Sequence, residues 1–108
     1  MNLLPAHIRK QLPKLYATEH VKPADKIAVV KFFTPDASWT WYVCEFDGKD
    51  TLFGFVIGLE AEWGYISLSE LQSVRGPLGL RIERDLYWRP KPMREAAPAH
   101  FPGEGGQP

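Results

Sequence analysis

Cysteine occurs once in this 108-residue chain, at Cys44. An internal disulfide is therefore impossible, and a cysteine-based zinc site has no ligand set. Such usage suits a reducing compartment, so a cytoplasmic setting is expected. Histidine is scarce: His7, His20 and His100 all fall in the N-terminal segment or near the C-terminus, outside the strand-like centre. No apolar run approaches the roughly 20 residues that a membrane helix needs. The opening MNLLPAHIRKQLPKLY lacks the long apolar stretch and small-residue cleavage site of a secretory signal. Net charge is missing too, since thirteen Lys and Arg balance thirteen Asp and Glu. General attraction to nucleic acid or to an acidic membrane is not expected of the chain as a whole.

What is present is aromatic and unevenly charged. A chain that is 44% hydrophobic and 13% aromatic can bury one small core, and the length argues for a single domain. Residues 1–31 hold six bases against two acids, residues 32–74 one base (Lys49) against seven acids, and residues 75–94 six bases against two acids. Either the basic flanks pair loosely with an acidic sheet, or two surfaces of opposite sign exist and one meets a partner.

Periodicity divides the chain. LLPAHIRKQL predicts a short helix with Leu4, Ile8 and Leu12 on one face, stopped by Pro13. PKLYATEHVKPAD reads as a linker. KIAVVKFF (Lys26–Phe33), WTWYVCEF, TLFGFVIGLE and the stretch Trp63–Ser67 read as four strands. TPDAS and DGKD supply turns, and Gly54 inside the third strand suggests a bulge or a close backbone approach. Ser67 three residues before Glu70 has capping-box spacing, so a short helix follows. RIERDLYW fits a helix through Ile82 and Leu86, or an edge strand. The Pro- and Gly-rich residues 89–108 read as a disordered tail. The expectation is an α+β domain over 1–88: a four-stranded antiparallel β-meander with a short N-terminal helix and short C-terminal helices.

The phrases LPKLYATE, KFFTPD, WTWY, FDG, SLSEL and RGPLGL followed by IERDLY stand in this order. Together they closely resemble the bacterial domain of unknown function 2958 family over Leu12–Trp88. The resemblance implies a small cytoplasmic accessory of the kind met on plasmids and mobile elements, and it brings no catalytic residues. Arg81 stands where such sequences often have proline, adding a charge beside the RGPLGL loop.

Four groups of residues carry possible chemistry. In an extended strand Trp39, Trp41 and Val43 share one face, and Thr40, Tyr42, Cys44 and Phe46 share the other. The apolar character of both faces argues for core; the alternative is a base-stacking platform, which normally has Lys or Arg beside it. The acids Asp36, Glu45, Asp47, Asp50, Glu60 and Glu62 lie near strand ends. They could hold Mg²⁺ through oxygen ligands, but they follow no metal-loop spacing, and Asp47 and Asp50 suit turns. Arg75, Arg81 and Arg84 lie around a Gly/Pro-shaped loop. They either pair with Glu70, Glu83 or Asp85, or bind a phosphate or an acidic partner. Cys44 sits among apolar neighbours, where a thiol is inert.

The leading expectation is a non-enzymatic accessory of a mobile element that binds a protein partner through Arg75, Arg81, Arg84, Glu45 and Asp47, with no cofactor. A nucleic-acid-binding module would use Arg75, Arg81, Arg84, Tyr87 and Trp88, helped by exposure of Tyr42 or Trp63. A metal-dependent hydrolase would need several of the acids to converge on one point.

Overall fold

Alternation in TWYVCEF and TLFGFVI builds the two central strands of the fold. In the computed structural model, which describes residues 2–102, helix α1 (Ala6–Arg9) is followed by a linker and by strands β1 (Ile27–Ala28) and β2 (Val30–Phe33). Strands β3 (Thr40–Phe46), β4 (Thr51–Ile57) and β5 (Ala61–Ser67) come next, then helix α2 (Leu68–Ser73). Strand β6 (Glu83–Arg84), strand β7 (Lys91–Pro92) and helix α3 (Met93–Ala96) follow. The main sheet is antiparallel with the order β5-β4-β3-β2-β6, and β1 pairs with β7 in a separate two-stranded ribbon. The α+β class therefore stands, with five strands in the main sheet instead of four. The fifth is β6, which pairs with β2 and decides RIERDLYW as an edge strand over a helix.

Both faces of the sheet are covered. On one face Trp41, Val43, Phe46, Leu52 and Ile66 pack with Phe32, with Leu3, Leu4 and Leu12, and with Leu68 and Leu71 of α2. Only Ala6–Arg9 is helical in the N-terminal segment, yet Leu4 and Leu12 are buried and Ile8 packs beside them, so the predicted apolar face does meet the core. On the other face Tyr42, Cys44 and Phe55 pack with Ala28, Met93 and Ala97, with Trp88 and Phe101 alongside. Each large side chain buried this way contributes about 1.5–3 kcal/mol.

Two expectations about these faces change. First, the register between β3 and β4 shifts at Cys44: Val43 lies opposite Gly54, but Glu45 lies opposite Phe53. This β-bulge adds one residue to β3 and reverses the alternation beyond it. Phe46 therefore joins the face of Trp41 and Val43, leaving Tyr42 and Cys44 behind. Gly54 answers the bulge, because a Cβ there would fall 2.0 Å from the Tyr42 carbonyl oxygen. Second, disorder does not begin at Arg89. Residues 91–100 form β7, α3 and a 3₁₀ turn, and Met93 is fully buried against the second face. A sheet apolar on both sides needs two covers, and this segment is the second. Residues 103–108 of the expected tail lie outside the described residues.

Candidate functional site

Of the acids that looked like a cluster in sequence, Asp36, Glu45, Asp47 and Asp50 each hold backbone, while Glu62 lies on β5 and lines a surface groove. Asp47 closes its own turn: one carboxylate oxygen accepts from the N–H groups of Lys49, Asp50 and Thr51 at 2.8–3.0 Å. Asp50 reaches the start of α2. It accepts from the Ser67 hydroxyl at 2.7 Å and from the Ser69 N–H at 2.8 Å, while Ser67 itself caps the helix by accepting from the Glu70 N–H at 3.2 Å. Hydrogen bonds of this kind favour the carboxylate form and hold both aspartates below the usual range. The Lys49 N–H leads for Asp47 and the Ser67 hydroxyl for Asp50.

Glu45, expected at a contact surface, is only 3% exposed. Its carboxylate accepts from the N–H groups of Tyr16 (2.8 Å) and Thr18 (3.1 Å) and from the Thr18 hydroxyl. The buried Lys26 ammonium donates to the Thr18 carbonyl and hydroxyl. Glu45 thus anchors the LYATE linker, where Tyr16 takes a φ of 70°. Its neighbour Cys44 is buried, and burial pushes the thiol up to about 12 in spite of the opposing effect of Lys26. Among the described residues no three His, Cys, Asp or Glu side chains gather where they could hold a metal ion.

Asp36 ties the TPDAS turn to the RGPLGL loop. One oxygen accepts from the Leu78 N–H at 2.8 Å and the Leu80 N–H at 3.4 Å. The loop closes on itself: Arg75 and Arg81 bridge at its base, the Gly76 N–H donates to the Leu80 carbonyl, and Gly79 turns at a φ of 83°. Gly76 presses on the aspartate, since a Cβ there would sit 1.7 Å from its second oxygen. The arginines secure the loop through carbonyl oxygens. Arg75 donates to Gly79 at 3.1 Å and Arg81 to Gln72 at 3.0 Å. Arg84 leaves the loop altogether and donates to the Asn2 carbonyl from β6 at 2.6 Å. Arg75 and Arg81 thus secure the loop, while Arg84 serves the N-terminal segment.

Between this loop, α2 and the outer half of the sheet lies an open groove of about 530 Å³. Trp41, Val56, Leu71 and Val74 supply apolar wall, and Glu62, Glu70 and Arg75 are its charged groups. Trp39 stacks on Trp41 with ring centroids 5.8 Å apart. Trp41 is core, as expected of this strand, but Trp39 remains 38% exposed and Val74 40% exposed. Composition gave no sign of this groove, because its walls come from residues that each read as ordinary core. The signal that was available is the pair Trp39 and Trp41 on one face, one of them more than a single sheet face needs.

The residues expected to read nucleic acid divide. Tyr87 is 93% exposed, and it lines a shallow pocket with Lys31, Arg84, Glu83 and Asp85. Trp88 is engaged: its indole N–H donates to the Ala28 carbonyl at 2.9 Å, and Lys31 and Lys91 sit over its ring. Tyr42 is buried. Trp63 is half-buried, stacked on Phe53.

Fold and site together define a small α+β domain with a framed surface groove, with Asp36, Glu45, Asp47 and Asp50 committed to holding backbone. The chain belongs to the family described as Protein of unknown function (DUF2958), whose model matches residues 3–96. The match runs past Trp88 and takes in β7 and α3, in keeping with their part in the core. No curated protein and no solved structure matches the chain. No helix among the described residues is long and apolar enough to cross a membrane.

Proposed function

We propose that this protein is a non-enzymatic binding module that engages a protein partner through the groove between β5, α2 and the loop 75–81. One observation carries the reading: an open groove whose wall includes the half-exposed Trp39 and Val74 and whose rim is charged by Glu62, Glu70 and Arg75. Aromatic anchors set in a pocket with a polar rim are where contact energy concentrates in protein interfaces. Arg75 is the one member of the expected contact set that borders the groove. Glu45 is buried and is left out, and Asp47 serves its turn. A role as a cytoplasmic accessory of a mobile element belongs to the same reading, supported by the single buried thiol and by the family resemblance. The test compares wild type with Trp39→Ala and Val74→Glu in affinity capture from the native host. Stoichiometric retention of one protein by wild type, lost in both variants at unchanged melting temperature, is the expected result. Identical capture by all three would refute the groove as the contact surface.

A second reading rests on Tyr87. Its exposed ring beside Lys31 and Arg84 offers a stacking position for a single strand, although Glu83 and Asp85 in the same pocket oppose a polyanion. Oligonucleotide titration followed by tryptophan fluorescence and anisotropy separates the two. Saturable binding that weakens with salt and is lost in Tyr87→Ala would favour this second reading over the first.

A further inference from the structure

Strand β5 ends the sheet, and among the described residues its outer edge pairs with nothing. Which of its backbone groups face outward follows from the ladder. At one end the Leu68 N–H donates to the Asp50 carbonyl at 2.8 Å, and at the other the Gly58 N–H donates to the Glu60 carbonyl at 2.9 Å. Register is continuous between them, from Thr51 opposite Ser67 to Ile57 opposite Ala61. Antiparallel ladders alternate bonded and non-bonded pairs. Glu62, Gly64 and Ile66 therefore bond to β4, and Ala61, Trp63, Tyr65 and Ser67 aim N–H and C=O away from the sheet. Edges are commonly blocked by a proline, a lysine, a bulge or a very short strand. AEWGYIS has seven residues, an unbroken register and neither proline nor lysine.

The same strand forms one bank of the groove. A strand added beside it would bond to Trp63 and Tyr65, and its residues beside Glu62 and Gly64 would point to the groove side. Gly64 leaves room there, since a Cβ at that position would meet nothing within 4 Å. Leu71 and Val74 offer apolar contact to a side chain entering that space. Glu62 and Glu70 line the groove and Glu60 sits at the hairpin beside it, outnumbering Arg75, so the neighbouring position favours a cation.

Resting on the binding-module reading, we infer that β5 receives an extended segment of the partner protein by strand addition. That segment carries an apolar residue beside Gly64 and a Lys or Arg two positions away, beside Glu62. Charge complementarity argues for a foreign segment over the alternatives. AEWGYIS carries no Lys or Arg, so a second copy of β5 would bring no base to Glu62, and residues 103–108 (GEGGQP) contain neither a base nor a large apolar side chain.

A random heptapeptide phage library selected on the whole protein tests this. Enriched peptides are expected to share a base and an apolar residue at i and i+2. A synthetic selected peptide should lose at least tenfold in affinity when its backbone is N-methylated at the residue between them. Tyr65→Pro, which removes one outward N–H and no ladder bond, should weaken binding at least tenfold relative to Tyr65→Ala. No enrichment, enrichment without this spacing, indifference to N-methylation, or a concentration-dependent dimer abolished by Tyr65→Pro would each overturn the inference. Should those results coincide with partner loss in Val74→Glu, strand addition fails while the groove reading survives; partner retention in Val74→Glu removes both.

Discussion

Replacing Glu45 by glutamine puts the anchoring of the linker to a quantitative test. The carboxylate accepts three hydrogen bonds, two of them from the Tyr16 and Thr18 N–H groups. Bonds to a charged acceptor contribute about 1.5–3 kcal/mol each, against about 0.5–1.5 for neutral ones. Glutamine keeps the shape but turns one acceptor oxygen into a donor, which then faces an N–H. One bond is lost outright and the others weaken. Tyr16 holds a left-handed backbone conformation that costs roughly 1–2 kcal/mol for a residue other than glycine, and its restraint goes too. Lys26, only 8% exposed, loses the carboxylate that shares Thr18 with it. The expected destabilisation is about 2–4 kcal/mol, equivalent to a drop of roughly 10–25 °C in Tm for a domain of this size. Urea unfolding followed by tryptophan fluorescence reads it directly. The double variant Glu45→Gln/Lys26→Met should lose less than the sum of the single losses, because it removes the cation left uncompensated. A single-variant loss below about 0.5 kcal/mol, or strict additivity in the double variant, would refute the anchoring argument.

Truncation after Trp88 should abolish cooperative unfolding, because it uncovers Tyr42, Cys44 and Phe55, and Met93→Ala alone should cost about 2–5 kcal/mol by chemical denaturation. Stability should fall as pH rises from about 9 toward 12. The unfolded thiol ionises near its ordinary value of 9.0 while the folded Cys44 stays protonated up to about 12, so the unfolded state binds fewer protons across that window. Cys44→Ala should flatten that part of the profile in pH-resolved denaturation, and wild-type Cys44 should react with a thiol reagent only on unfolding. In acid the sign reverses: Asp47 and Asp50 titrate below their ordinary range when folded, so their stabilisation is lost as pH falls through it, and Asp47→Asn with Asp50→Asn should make the acid limb shallower. Gly76→Ala should displace Asp36 and release the Leu78 and Leu80 amides, read as faster hydrogen exchange confined to residues 75–81.

Features that depend on neighbours in sequence were legible from the chain. The strands from Val30 to Ser67, the DGKD turn and the Ser67 cap are all decided within a few residues. Asp47 and Asp50 were readable as turn formers for the same reason. Other features depend on partners far away. Asp36 meets the amide of Leu78, and nothing around either residue announces the other. The bulge at Cys44 leaves WTWYVCEF looking like a regular strand, so Phe46 was placed on the wrong face. Composition misled at residues 89–102: five prolines and three glycines in the last twenty residues argued against order. Yet Met93, Ala97 and Phe101 recur at a spacing of four and pack together under the sheet. The apolar character of both sheet faces already called for a second cover, and only this segment was left to supply it.

The phrases that carry the family resemblance can now be read as pairs. Asp36 of KFFTPD holds RGPLGL. Glu45, following WTWYVC, holds LYATE. Asp50, closing FDGKD, holds SLSEL. Each pair fixes a loop or helix start to the sheet by a carboxylate accepting backbone N–H groups, and two of the three fix walls of the groove. Helix α2 is set by Asp50, and the loop 75–81 is set by Asp36. Carboxylates used in this way are unavailable for acid–base or metal chemistry without dismantling the frame, so the acidic character of residues 32–74 is largely architectural. Beside the groove, that architecture leaves accessible the indole of Trp39 and the side chain of Val74, with the outward amides of Trp63 and Tyr65 on the β5 edge. The proposed contact at the groove and the β5 edge rests on these groups, which the carboxylate framework positions without using.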